Sequence, residues 1–291
     1  TLREGVAVTL AGASDEVTLQ PWRREGWASA AGRDAYGLWA EFTVGKVVQR
    51  MRWVPPGTFV MGSPEGEVGR WEDEVPHEVT LTEGWWMAET PVTQALWKAV
   101  MKQNPSHFKG DDRPVETVSW DECQRFLERL NVAVPGLDAR LPTEARWERS
   151  YRAGTVGATW LGDLSDDTTD PTLDAIAWYH ANSGGETHPV GQKTANPYGL
   201  QDVPGNVWEW CSDRQARYAA TPVTDPTGAA TGTGRVVRGG SSFDDARSVR
   251  AAYRVAVGPG YRGVGLGFRL SRGQGSALRH EQAGSEPRSG E

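Results

Sequence analysis

Glycine and proline interrupt this chain so often that no long run of regular structure fits between them. The 291 residues include 35 glycines and 18 prolines, which favours turns, short strands and irregular loops over helix. The same length is ample for a large buried core. Fourteen tryptophans recur beside glycine, and we expect their flat rings to pack on close backbone. The sequence therefore predicts a loop-rich fold in which helix is the minority.

Three short helices are predicted between these interruptions. The clearest signal is an S-x-x-E capping box, in which Ser119 and Glu122 precede apolar residues at helical spacing. A proline and a glycine mark two of the expected helix ends. The predicted helices begin at Thr93, Ser119 and Thr143, and they end at Asn104–Pro105, near Asn131 and at Gly154.

The patterns divide the chain into three parts. Residues 1–50 carry short β-like runs such as Val6–Leu10 and Leu38–Val44, and they are predicted to form a β-rich extension ahead of the main domain. The main domain is predicted to span residues 51–272. Residues 273–291 contain one leucine and no aromatic ring, so we expect a flexible tail there.

The charge balance and the cysteine content exclude some function classes. A formal net charge of −7 at pH 7 repels phosphate backbones, so a nucleic-acid partner is not expected. No apolar run reaches the roughly 18 residues of a membrane span. Thr1 opens no signal-peptide pattern, although a leader removed before it stays compatible with the sequence. Two cysteines are too few for a disulfide scaffold, and we expect a soluble, monomeric, cytoplasmic protein.

Four ordered segments carry a resemblance to a known family. They are RLPTEARWERSYRAG (140–154), NPYGLQDVPGNVWEWC (196–211), RVVRGGSSF (235–243) and LGFRLS (266–271). In order and spacing they resemble the formylglycine-generating-enzyme and sulfatase-modifying-factor family, over about Met51 to Arg272. The resemblance implies an α+β, C-type-lectin-like fold with few helices, short antiparallel strands and much irregular loop.

The resemblance also implies a structural calcium site around the GNVWEW motif. In the family, an Asn or Asp three residues before the glycine and the glutamate of the motif supply side-chain oxygens, and backbone carbonyls complete the shell. Oxygen-only ligand sets of this kind suit calcium. The alternative is that the glutamate pairs with an arginine of the last segment. The matching residues here are Asp202, Gly205, Val207 and Glu209.

The cysteine chemistry of the enzymes in this family is missing from the sequence. Those enzymes use two cysteines between the RGGS and GFRL segments, which bind copper as thiolates, and residues 242–266 here contain none. Cys123 and Cys211 are predicted to be buried and unreactive. The five histidines are scattered and predict no iron site. Neither copper nor iron is therefore expected.

No other catalytic arrangement stands out. No serine occupies a G-x-S-x-G elbow, and the aspartate pairs lie in loops, where turn residues are usually solvated. The pair Asp244–Asp245 and the glutamate-rich stretch Glu65–Glu78 are both predicted to be solvated on this basis.

The segment SFDDARSVRAAYRVAVGPGYRGVG, between RGGS and LGFRL, has an unusual residue alphabet. Its arginines recur among residues that are nearly all small or aromatic. The pattern resembles the variable region of proteins diversified by retroelements, in which Asn-type codons are randomised at their adenines and a C-type-lectin fold displays the products. Such randomisation never yields Lys, Glu, Gln, Met or Trp, and none of the five occurs from Phe243 to Gly265. A glycine-rich loop that serves only tight turns is the alternative.

Under the first interpretation the free positions form a ligand-binding surface and the arginines are scaffold. Aromatic rings on small, flat surroundings favour a protein or other apolar ligand over a highly charged one. The predicted scaffold arginines are Arg247, Arg250, Arg254, Arg262 and Arg269. The predicted contact residues are Phe243, Asp244, Asp245, Ser248, Tyr253, Val255, Ala256, Val257, Gly258, Gly260, Tyr261, Gly263, Val264 and Gly265.

The sequence thus favours a non-enzymatic ligand-binding protein that displays a diversified surface at residues 242–265. The alternative is an oxidoreductase or transferase of the same family with an active site that the sequence does not identify. A regulatory module that binds a kinase or ATPase through acidic loops is a third class, and no motif supports it.

Overall fold

The computed structural model describes residues 8–11, 16–19 and 26–273, which contain three α-helices and fourteen short strands. The helices are α1 (Gln94–Met101), α2 (Trp120–Ala133) and α3 (Glu144–Arg152). The strands are β1 (Val8–Ala11), β2 (Glu16–Leu19), β3 (Ala30–Asp34), β4 (Gly37–Val44), β5 (Val47–Val54), β6 (Gly57–Met61), β7 (His77–Leu81), β8 (Trp85–Ala88), β9 (Trp208–Arg214), β10 (Val223–Thr224), β11 (Arg235–Arg238), β12 (Arg254–Val257), β13 (Leu266–Gly267) and β14 (Ser271–Gly273). The predicted architecture of few helices, short strands and long loops is confirmed.

Each helix begins where the sequence predicts, because a hydroxyl residue caps it. Thr93, Ser119 and Thr143 accept hydrogen bonds from backbone amides of the first turns. The capping box of α2 is present in both directions. Helix α1 ends earlier than predicted, at a left-handed Lys102, whereas α3 ends as expected just before Gly154, which also has a positive φ.

A five-stranded sheet joins the early part of the described chain to its end, in the order β14-β8-β5-β4-β3. Strand β5 spans residue 50, so the predicted boundary of the extension runs through a strand, and β3 and β4 belong to the same sheet as the main domain. The first predicted run, residues 6–10, is described only from Val8 onward, where it forms part of β1. Of the predicted tail, Gly273 ends β14 and residues 274–291 lie outside the described residues.

A four-stranded sheet, in the order β12-β11-β9-β13, has two chemically different faces. Its register aligns Arg254, Arg238 and Glu209 in one cross-strand row and Val255, Val237 and Trp210 in the next. Neighbouring residues of a strand point to opposite faces. One face therefore carries charged groups towards α3, and the other carries apolar and aromatic groups.

Tryptophan rings pack closely on glycine backbone, as predicted. A Cβ atom on Gly84 would lie 2.3 Å from the ring of Trp53, and a Cβ atom on Gly32 would lie 2.7 Å from the ring of Trp39. Elsewhere, Trp97 stacks on Phe126 with 5.1 Å between ring centroids.

None of the helices in the described ranges is long and apolar enough to cross a membrane.

Candidate ligand-binding site

An open depression of about 510 Å³ lies on the apolar side of the four-stranded sheet. Most of its wall comes from the segment that follows β11, which includes β12, and strands β9, β11 and β13 contribute Trp208, Val237 and Leu266. Eight of the fourteen predicted contact residues line it: Phe243, Asp244, Tyr253, Val255, Val257, Tyr261, Gly263 and Val264. The structure thus brings most of the predicted surface together in one place.

The alternation of strand β12 explains which residues reach the depression. Val255 and Val257 line it, whereas Arg254, one position earlier, is buried against α3. Ala256 lies between the two valines on the strand and does not line the depression. A period of two therefore separates contact residues from scaffold residues along this strand.

Five further predicted contact residues lie elsewhere, and two of them are buried. Ser248 is 6% exposed, within a short 3-10 turn at Ala246–Val249. Gly265 is also buried, and a Cβ there would approach both Ser241 and Phe243 at 3.2 Å. For Ser248 and Gly265 the prediction of a displayed side chain is wrong, because the chain turns inward at both positions. The other three also lie outside the depression: Asp245 is half-buried, and Gly258 and Gly260 are exposed.

Aromatic rings from outside the predicted segment extend the wall. The Trp208 ring lies 6.0 Å from Tyr253, which in turn meets Trp71 edge-on at 6.4 Å. Trp71 is 52% exposed although it is a tryptophan. On the opposite side, Phe243 stacks on Phe108 at 6.1 Å. Sequence reasoning missed these residues, because nothing local in the sequence links the loops that carry Trp71 and Phe108 to residues 242–265.

Asp244 is held at the floor of the depression by a closed turn. Its Oδ2 accepts hydrogen bonds from the Ser241 backbone amide at 3.0 Å, from the Ser241 hydroxyl, and from Trp208 Nε1 at 2.9 Å. Burial raises the pKa of this carboxyl despite those donors, and the neighbouring Asp245 raises it further. The prediction that Asp244 is a solvated turn residue is therefore wrong.

Buried arginines behind the depression pair with glutamates from distant parts of the chain. Arg250, with a fully buried side chain, donates to Glu67 at 2.5 Å and to both oxygens of Glu74 at 2.7 and 2.8 Å. Both glutamates belong to the stretch predicted to be solvated, and that prediction is wrong for them because Arg250 draws them into the interior. Arg254 donates to both oxygens of Glu144 at 2.7 and 2.8 Å.

The scaffold prediction holds for three of its five arginines, whereas Arg247 is half-buried and forms no ion pair with a described residue. Arg250, Arg254 and Arg269 are buried and paired. Arg262 instead has a side chain that is 53% exposed, beside Glu122, so it belongs to the surface. Arg238, which the prediction left out, is fully buried on Glu148 and on the carbonyls of residues 251–253.

Glu209 has the arginine partner of the alternative prediction. Both of its oxygens accept from Arg269, at 2.7–3.1 Å, and Oε2 also accepts from Trp147 Nε1 at 2.7 Å. Arg269 also donates to the Asp202 carbonyl, at 3.1 Å. A buried guanidinium thus already pairs with both oxygens of Glu209, so this glutamate as packed does not fit a calcium shell. Calcium binding through Asp202, Gly205, Val207 and Glu209 stays a prediction.

The two cysteines are buried, as predicted. Cys123 and Cys211 are both 0% exposed, and they belong to different hydrophobic clusters. Burial raises the pKa of each thiol well above its usual value, which disfavours the reactive thiolate. Neither cysteine lines the depression.

Comparisons with known proteins agree with this architecture. The family model described as "Sulfatase-modifying factor enzyme 1-like domain" matches residues 39–274. A formylglycine-generating enzyme of Streptomyces coelicolor is 32% identical over 202 residues, which is 64% of this chain and 60% of that protein. Another, from Thermomonospora curvata, is 36% identical over 60% of this chain and 57% of its own length. The chain thus spans about 60% of the length of these relatives.

Among solved structures, Treponema denticola variable protein 1 is similar with a TM-score of 0.72 and 33% identity, over 80% of this chain and 98% of that one. PvdO from Pseudomonas aeruginosa, at 23% identity and a TM-score of 0.71 over 87% of this chain and 100% of its own, supports the fold alone. The predicted C-type-lectin-like α+β fold is confirmed. The chain belongs to the sulfatase-modifying-factor family, whose namesake relatives are formylglycine-generating enzymes.

Proposed function

We propose that this protein binds a ligand through the depression, without catalysis, and that the lining residues are a diversified set displayed on a constant scaffold. The observation that carries the proposal is the convergence of eight predicted variable positions on one open surface. Buried ion pairs hold the segment behind them. The similarity to Treponema denticola variable protein 1 supports the same conclusion.

The partner of such a surface is a protein or another largely apolar ligand. Phe243, Tyr261 and Val264 are 41%, 55% and 45% exposed. Exposed apolar side chains that share one patch are typical of an interaction site. Aromatic side chains supply contact area at low cost in rotamer entropy, as they do in antibody paratopes.

Two matched libraries test the proposal. One randomises the eight lining positions with the alphabet of Asn-type codons, and the other randomises the four buried arginines Arg238, Arg250, Arg254 and Arg269 with the same alphabet. We expect most clones of the first library to resist proteolysis and to yield binders to an arbitrary immobilised protein, and most clones of the second to be degraded. Equal degradation of the two libraries would contradict the displayed-surface proposal.

The family's enzymes make oxidation of a substrate cysteine the competing function. Such activity would require copper-binding thiolates, and the only two thiols are buried away from the depression. We therefore expect no copper-dependent oxidation of cysteine-containing peptides. Turnover that survives replacement of Cys123 and Cys211 together by serine would reveal another active site and refute the non-enzymatic proposal.

A further inference from the structure

The depression contains a single charged residue. Its lining combines rings, valines, a glycine, a leucine and one serine with the carboxyl group of Asp244. A lone carboxylate in an otherwise apolar wall fixes the sign of the charge that a ligand can place there. Which ligand group can bind there depends on which of the two Asp244 oxygens is available.

The two oxygens of Asp244 differ in their surroundings. All three donors that reach the carboxyl, two from Ser241 and one from Trp208, bind Oδ2. In the described part of the chain no donor reaches Oδ1, and this atom is not sealed away from solvent. The backbone is fixed as well, because the Asp244 carbonyl accepts from the His180 amide at 2.9 Å. Oδ1 is therefore a preorganised acceptor with no partner among the described residues.

Asp244 also lacks the kind of partner that the interior glutamates have. Glu144, Glu148 and Glu209 each bind a buried arginine, whereas no arginine, lysine or histidine of the described residues forms an ion pair with Asp244. Removing a carboxylate from water without a cation is unfavourable, which agrees with the upward pKa shift. A ligand that brings a positive charge would remove that penalty.

Aromatic residues share the depression with Asp244. Trp208, Tyr253, Phe243 and Tyr261 line the depression with Asp244. A cation near the face of such rings is attracted by their quadrupoles, while the valines can contact a methylene stem. Both elements of a cation site, a carboxylate and aromatic walls, are therefore present.

We propose that the depression binds a protonated amine or a guanidinium on an apolar stem, such as a lysine or arginine side chain of a protein ligand, with the cation seated on Asp244 Oδ1. This inference rests on the proposed function, since it specifies the ligand chemistry of the same surface. It also refines the expectation of an apolar ligand, because one positive charge is now part of the recognition.

Two small probes of similar shape test the inference. They are 4-phenylbutylammonium and the neutral 4-phenylbutanol, and the readout is the indole N–H resonance of Trp208, which donates to Asp244. The resonance is assigned by its loss in Trp208→Phe. A charge-assisted hydrogen bond is stronger than a neutral one, so we expect the ammonium to bind about tenfold tighter.

Matched variants locate the charge that recognises the probe. Asp244→Asn should equalise the two affinities, whereas Asp245→Asn, which changes the neighbouring carboxyl outside the depression, should retain the preference. Melting temperatures of both variants confirm that they fold. A preference that survives Asp244→Asn overturns the inference.

The same titrations separate this inference from the proposed function. Equal binding of both probes to the unaltered protein overturns the cationic preference while it supports a binding surface. Absence of binding by either probe overturns the cation site, and the library experiment then decides independently whether the surface binds other ligands.

Discussion

The two faces of the four-stranded sheet differ in chemistry and in exposure, although neighbouring residues of the same strands form them. On the α3 side, Arg238 and Arg254 are fixed by Glu148 and Glu144. On the other side, one position along the same strands, Val237 and Val255 line a depression that is open to solvent. The charged side chains of the first face are buried in ion pairs, whereas Val255 on the second face is only partly buried. We therefore expect substitutions on the open face to cost less stability than substitutions that break the ion pairs.

The largest expected effect comes from breaking one of the buried ion pairs behind the depression. Arg250→Ala leaves Glu67 and Glu74 buried without their cation, and removing one partner of a buried pair costs about 3–5 kcal/mol. We expect a loss of that size in the free energy of unfolding, measured by urea denaturation, or failure to fold. A loss below about 1 kcal/mol, typical of an average substitution, would show that the pair does not hold the scaffold.

A middle-sized effect should come from Asp213, an interior carboxyl to which the described residues offer no ion pair. It is 3% exposed and accepts from the Glu144 amide at 3.0 Å and from the Ser212 hydroxyl at 2.9 Å. Burial, with help from the charge of Glu144, raises its pKa to about 7 from 3.8. The folded protein thus holds this proton more tightly than the unfolded chain does, and stability from this group is lost as the pH rises through that window.

The variant Asp213→Asn isolates this contribution from those of other carboxyls. Its free energy of unfolding should fall less than that of the unaltered protein between pH 5 and pH 8, by an amount on the order of 1–3 kcal/mol. Urea denaturation at the two pH values measures the difference. Identical pH dependence in both proteins would mean that Asp213 titrates normally.

The smallest effects should come from the open face. Tyr261→Asn and Val264→Asn change side chains that are 55% and 45% exposed, and surface substitutions usually stay within about ±0.5 kcal/mol. Tyr253→Ser should cost more, about 1 kcal/mol, because Tyr253 is half-buried between Trp71 and Trp208. Thermal unfolding of the three variants measures these differences. Losses as large as that of Arg250→Ala would show that the residues lining the depression hold the fold as firmly as the buried ion pairs do.

The sequence predicts best what is decided locally. The capping box at Ser119 and Glu122 involves residues three apart, and the structure contains both of its hydrogen bonds. Along β12, Val255 and Val257 line the depression, whereas Ala256, which was predicted with them, does not. The difference follows from the alternation of side chains along a strand, which also acts within a few positions. The family resemblance then supplies the fold that no local pattern specifies.

Contacts between distant segments escape prediction from a single sequence. Arg250 and Glu67 are 183 positions apart. Because the sequence does not show that Arg250 pairs with this acidic loop, the loop is predicted to be solvated. The contacts of Trp71 with Tyr253 and of Phe108 with Phe243 escape prediction for the same reason, because the four residues lie on different loops. The inward turns at Ser248 and Gly265 depend on backbone geometry, which a list of small residues does not specify.

Strand β9 pairs with both ends of the segment that builds the depression, with β11 on one side and β13 on the other. The two ends of this segment are therefore brought together by the sheet, in addition to the ion pairs that its own arginines form. The entropy of closing a loop grows only with the logarithm of its length, at about 0.6 kcal/mol for each doubling. At the exposed turn formed by Gly258 and Gly260, the chain can therefore accommodate inserted residues as well as substituted ones, which would change the depth of the depression.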